Sequence, residues 1–140
     1  MHFVNADLIA AGLLDLRPRT ALMTAGRLFL REVDRLAAAR ESFAFETTLS
    51  GRFHAARLIR WRRRRWRIEI VYLKIASPDI ALKRIAARVR QGGHDVPRDD
   101  VLRRFSRSWQ NFAEVYRPLA HAWSVYDNSG SEPRLLEQGP

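Results

Sequence analysis

Short apolar runs alternate along the chain with longer stretches in which apolar residues recur every three or four positions. "HFVNAD" is apolar and ends in polar residues, which predicts a strand over about residues 2–5. Leu22, Gly26, Phe29, Val33 and Leu36 then trace one face of an amphipathic helix over about residues 19–40. "SFAFE" is a second short strand, closed by Glu46, and "TTLSGR" leads from it into a helix that runs into an arginine cluster. "IEIVYLKIA", residues 68–76, is almost continuously apolar, the pattern of a strand covered on both faces. Ser77 as N-cap and Pro78 at the first helical position start another helix, with Ala81, Ile85 and Val89 along one side. "QGGHDVP", residues 91–97, is expected to be a flexible loop. Asp99 and Asp100 then suit the first turn of a helix whose stripe runs through Leu102, Phe105, Trp109, Phe112, Tyr116 and Leu119 and stops at Pro118. "WSVYDNSG" predicts a last short strand and turn, and "PRLLEQG" an edge strand or a tail.

Strands alternating with helices predict an α/β fold with a mainly parallel sheet, in a single domain over residues 1–140. Ligands of such sheets bind at the carboxyl ends of the strands. Three predicted strands end there in polar residues: Asn5 and Asp7, Glu46 with Thr47 and Thr48, and Asp127 with Asn128.

Composition narrows the chemistry. Without cysteine there is neither a disulfide framework nor thiolate catalysis. No apolar run reaches the roughly 18 residues of a membrane span. The amino terminus lacks the basic and apolar regions of a signal peptide, so no membrane partner and a cytoplasmic location are expected. His2, His54, His94 and His121 have no metal-ligand spacing, so no metal site is proposed from protein ligands. The net charge is +10, and of 25 basic residues only Lys74 and Lys83 are lysine. Such an excess suits an anionic partner, although an arginine-rich composition also follows from genome base content.

Each candidate residue has a plain reading beside the chemical one. A strand-end Asp such as Asp7 is commonly a cap or a turn residue. Paired with Glu46 and the Thr hydroxyls, it could instead orient a hydroxyl substrate or hold a divalent metal through water. Arg84 and Arg88 share a helix face and Arg90 lies at the root of the Gly-Gly loop, either as a solvated face or as a clamp on phosphates. "RWRRRRWR", Arg60 to Arg67, could bind single strands by charge and stacking. The favoured reading packs Trp61 and Trp66 against the core and leaves the arginines in water, so nucleic acid is the less favoured partner.

The order of "FVNADLIAAGL", "ESFAFETTLSGR", "ALKRIAARVRQGGHDVP" and "YDNSG" resembles the zeta toxin family of P-loop kinases over almost the whole chain, about residues 3–137. The resemblance implies a P-loop NTPase-like three-layer sandwich. It implies Asp7 as the base that takes a proton from the substrate hydroxyl, with Asn5, Glu46 and Thr48 on the substrate. It implies a phosphate-contacting lid over about residues 84–104, with Arg84, Arg88, Arg90, His94, Arg103 and Arg104 as its candidates. ATP and Mg²⁺ are the implied cofactors, a small hydroxyl compound such as a UDP-N-acetylamino sugar the acceptor, and an antitoxin the implied protein partner.

The chain departs from that family in one large respect: it contains no G-x-x-x-x-G-K-[ST] loop, and neither lysine follows a glycine. The family's central first strand is missing with it. A chain that lacks its amino-terminal strand and phosphate cradle is expected to be inactive as a kinase. Its strands at Glu46 and at residues 68–76 are expected either to pair directly or to leave two open edges. The alternative is a non-catalytic, arginine-rich remnant that binds nucleotides or nucleic acid.

Overall fold

The computed structural model describes residues 1–13 and 15–140 and resolves into two compact units, Met1–Thr47 and Thr48–Pro140. In the first unit, β1 (His2–Val4) pairs in parallel with β2 (Phe43–Phe45), with Val4 opposite Phe45. Between them run α1 (Ala6–Ala11) and the long α2 (Pro18–Ala38). The buried face of α2 is Ala21, Ala25, Phe29, Val33, Leu36 and Ala37. Its first half is therefore one position off the expected stripe: Leu22 is exposed and Ala21 is buried. α1 packs on α2, and Phe29 meets Phe45 edge-on at 5.6 Å.

The second unit holds α3 (Phe53–Arg63), β3 (Glu69–Lys74), α4 (Pro78–Arg90), α5 (Arg98–Asn111), β4 (Ala122–Asp127) and β5 (Arg134–Gly139). β3 and β4 are parallel, and β5 closes the far side as an antiparallel edge strand. The fold is thus mixed α/β with small sheets, β1–β2 and β3–β4 being the parallel ladders. β2 and β3 belong to different sheets, so the direct pairing of the strand at Glu46 with the strand at residues 68–76 does not occur.

One face of β3 packs on α5 and its continuation. Tyr72 stacks on Phe112 at 4.7 Å and meets Trp109 edge-on at 5.4 Å, and its hydroxyl bonds Ser108. The opposite face does not fit the expected doubly covered strand: Val71 and Leu73 are 64% and 53% exposed. The sequence "EIVYLK" alternates in exposure because only its even positions meet the helix.

Beyond Asn111 the helix changes pitch. Phe112–Tyr116 forms a π turn and Arg117–Leu119 a 3-10 turn, with Pro118 inside the latter. Phe112 and Tyr116 are both fully buried.

Three helices end in the same way. After α2 a left-handed Arg40 (φ 61°) donates to Ala37 while Glu41 donates to Leu36. After α3 a left-handed Arg65 (φ 63°) donates to Arg62 while Trp66 donates to Trp61. After α4 Gly92 (φ 91°) donates to Val89 and Gly93 to Arg88. Each is a Schellman motif, in which the reversed chain satisfies the last carbonyls of the helix. The glycines of "QGGHDVP" are therefore a helix stop, a more defined role than the flexible loop expected. The five-residue spacing of Trp61 and Trp66 places them at the two positions whose side chains ordinarily clasp such a stop.

A left-handed non-glycine residue costs about 1–2 kcal/mol, and glycine recovers this less about 0.5–1 kcal/mol of chain entropy. Arg65→Gly should therefore raise stability by about 0.5–1 kcal/mol. A higher urea midpoint checks it, and a lower one refutes the strain.

Candidate functional site

Asn5 ends β1 and caps α1. Its backbone is extended, and its Oδ1 accepts from the backbone N–H of Asp7 at 2.8 Å and of Leu8 at 3.2 Å. The cap is thus Asn5, while Asp7 occupies the first turn, where its charge suits the helix dipole. The Asp7 side chain is exposed and makes no hydrogen bond or ion pair among the described residues. The other end of the Asn5 amide donates from Nδ2 to Oε2 of Glu46 at 2.9 Å. This link follows from register: Val4 and Phe45 are partners, so the next residues of two parallel strands stand side by side. An open hollow of about 330 Å³ borders Asn5, lined also by His2, Phe3, Val4, Leu8 and Ile9. Asn5, Asp7 and Glu46 are therefore brought together in the first unit.

Thr48 begins the second unit. Its Oγ1 lies 2.9 Å from the Ser50 hydroxyl and accepts a longer bond from the Ser50 N–H. The loop it opens is held from behind. Leu49 is buried in the left-handed region (φ 54°), and its carbonyl accepts from Asn111 Nδ2 at 2.8 Å. Asn111 Oδ1 accepts from Arg52 Nε at 3.1 Å, and Tyr116 donates its hydroxyl to the Gly51 carbonyl at 2.7 Å. Neither Asn111 nor the Tyr116 hydroxyl stood out as a polar anchor in the sequence. The one signal was an asparagine beside an otherwise apolar stripe.

The predicted lid residues separate into two groups. Arg84 is engaged, donating to the Asn128 carbonyl at 2.5 Å and the Gly130 carbonyl at 3.5 Å. Arg103 pairs with Asp100 one helical turn away, at 2.6 Å. The side chains of Arg88, Arg90, His94 and Arg104 are exposed and form no hydrogen bond or ion pair among the described residues. Arg84 thus fixes the turn after β4, the same turn that Asp127 builds. Asp127 Oδ1 accepts from Ser129 N–H at 3.0 Å. Hydrogen bonds from Ser129, first its side chain and then its backbone, hold the Asp127 carboxyl below its ordinary range. Asp127 is therefore a turn residue by its contacts. Ser77 sits at the N-cap of α4 without a side-chain capping bond. Lys74, at the end of β3, lies over the Trp109 ring at 4.0 Å.

Among the described residues no helix is long and apolar enough to cross a membrane, and no three acidic or imidazole groups could hold a metal ion. Geometry and sequence together define a mixed α/β chain with a polar strand-end cluster and an arginine-dense helix end. No protein-family model matches the chain, and neither a curated protein nor a solved structure matches it.

Proposed function

We propose that this chain carries the acceptor half of a zeta-toxin-like kinase site, one that moves phosphate from ATP to a hydroxyl of a small molecule such as a UDP-N-acetylamino sugar. The observation that supports the reading is the Asn5–Glu46 link between adjacent strand ends, with an unbonded Asp7 in the following helical turn. In this reading Glu46, steadied by Asn5, orients the acceptor, and the Asp7 carboxylate takes the hydroxyl proton as the oxygen becomes a nucleophile. In the Thr48–Pro140 unit, taken by itself, the same proposal assigns Thr48 to the substrate and Arg84, Arg88, Arg90, His94, Arg103 and Arg104 to phosphate contacts, of which Arg84 and Arg103 would first have to leave their present partners. The P-loop NTPase-like sandwich and the single kinase domain belong to the same proposal, as does an antitoxin partner.

Mg²⁺ and ATP do not fit the described residues. Among the described residues no three acidic or imidazole groups form a cage for the cation, and the 140 residues contain no glycine-rich run ending in Gly-Lys and a hydroxyl to supply the phosphate cradle and the Mg²⁺-binding hydroxyl. The chain by itself is therefore proposed to be inactive. Loss of even one preorganised donor costs on the order of 10²–10³ in rate.

Two measurements test this. Titration with UDP-N-acetylglucosamine should shift the backbone NMR signals of Asn5, Asp7 and Glu46. Shifts confined to other residues would remove the acceptor site. Transfer from labelled ATP should stay at background in both the wild type and Asp7→Asn. Strong turnover abolished by Asp7→Asn would overturn the inactivity and keep the base.

A further inference from the structure

We infer that the arginine-rich end of α3 is a sequence-independent binding surface for the phosphate backbone of duplex nucleic acid. Eight arginines and no acid stand between Arg52 and Arg67, so this segment carries most of the net charge of +10. The Schellman stop fixes how they are displayed. It reverses the chain at Arg65, so that Arg62, Arg63, Arg64 and Arg65 follow one another around the helix end rather than along one face. All four are exposed, as are Arg60 and Arg67.

Part of this surface is built and part is free. Arg62 donates to the carbonyls of Leu119 at 2.8 Å and Pro118 at 3.4 Å, which ties the helix end to the 3-10 turn. Arg67 pairs with Glu69 at 2.7 Å. The side chains of Arg63 and Arg65 have no hydrogen bond or ion pair among the described residues. Guanidinium groups match phosphate oxygens with two parallel N–H bonds, so these two are ready donors on a scaffold that their neighbours hold.

The tryptophans decide the class of partner. Trp61 is 6% exposed and Trp66 is partly buried, with its ring nitrogen fully so. A surface that holds single strands presents aromatic faces for stacking, and one that enters a lipid interface presents tryptophan with an apolar face. Here Trp61 is buried and Trp66 partly so, and the six exposed arginines from Arg60 to Arg67 make the helix end a mainly charged surface. Dense rows of phosphate, read without base contacts, are the polyanion that fits. This inference does not depend on the kinase reading, and its test contains no ATP.

The full chain is titrated by fluorescence anisotropy against two unrelated DNA duplexes of ~20 base pairs, from about 50 to 200 mM salt. Equal affinity for both is expected, with log K falling linearly with log salt at a slope of about −4. The double variant Arg63→Gln, Arg65→Gln should fold as the wild type does, because neither side chain is bonded. It should lose about 10–100-fold in affinity at the lowest salt and about 2 from the slope. Salt-independent binding, or a double variant that binds like the wild type, would overturn the proposal. So would retention on phosphatidylglycerol vesicles at a salt concentration that releases the duplex, since the patch would then be a lipid surface.

Discussion

Replacing Asn111 by leucine should destabilise the Thr48–Pro140 unit by about 1–3 kcal/mol, because the change removes a buried hydrogen-bond donor from the Leu49 carbonyl. The side chain is 6% exposed and both ends of its amide are used. Its orientation is fixed by its partners: the Arg52 guanidinium can only donate and the Leu49 carbonyl can only accept. Leucine has nearly the right volume but offers neither bond, so the Leu49 carbonyl loses the amide donor that Asn111 supplies. That residue is already strained, since a bulky side chain in the left-handed region is uncommon. The loop persists because Asn111 and Tyr116 grip it from two successive positions. In an α-helix residues five apart lie well off a common face. The π turn at Phe112–Tyr116 widens the helix by one residue and brings Tyr116 round to the loop that Asn111 already holds. Urea unfolding measures the loss, and Tyr116→Phe should show a smaller one of about 1 kcal/mol. A midpoint for Asn111→Leu within experimental error of the wild type would mean that the loop is held by something else.

This clamp marks the boundary of what could be read from residue patterns. Periodicity located the helices and the strands, because burial of one face is what periodicity encodes. The strand-end cluster was legible for the same reason: a polar residue directly after a short apolar run has to lie at a sheet edge, and parallel register then sets Asn5 beside Glu46. The pitch change was not legible. Phe112, Tyr116 and Leu119 keep a helical spacing in sequence, so nothing in the pattern marks the turn that widens between Phe112 and Tyr116. The end of the long helix near residue 40 was legible, but the left-handed stops at Arg40 and Arg65 were not, because such a stop is normally signalled by glycine, as at Gly92. The roles of Arg84 and Asp127 were blurred by their types. An arginine facing carbonyls and an arginine facing phosphates look alike until the turn after β4 is in place.

The second large effect is expected from acid. His54 lies in the first turn of α3 and is 3% exposed. Burial is the main reason that its pKa falls from 6.5 to about 4, and the charge of Arg57 adds to it. The amino end of the helix opposes an imidazolium as well. In the folded chain His54 is therefore neutral at every pH above about 4, whereas in the unfolded chain it takes up a proton below 6.5. The unfolded state thus binds the extra proton between those values, so stability rises with pH across the window and is lost as pH falls through it. The full loss from neutral pH to below pH 4 is on the order of 3 kcal/mol. Urea midpoints at several pH values should fall steadily across this window in the wild type. His54→Leu removes the titrating group while keeping an apolar side chain at a buried position, so its midpoint should be nearly flat over the same range. The carboxylates whose pKa is lowered, Glu32 and Asp127, do not imitate this signature, because a depressed carboxylate loses its contribution only below its ordinary range near pH 4. If the slope persisted in His54→Leu, the acid sensitivity would belong to other groups, and the imidazole would not be held neutral by its burial.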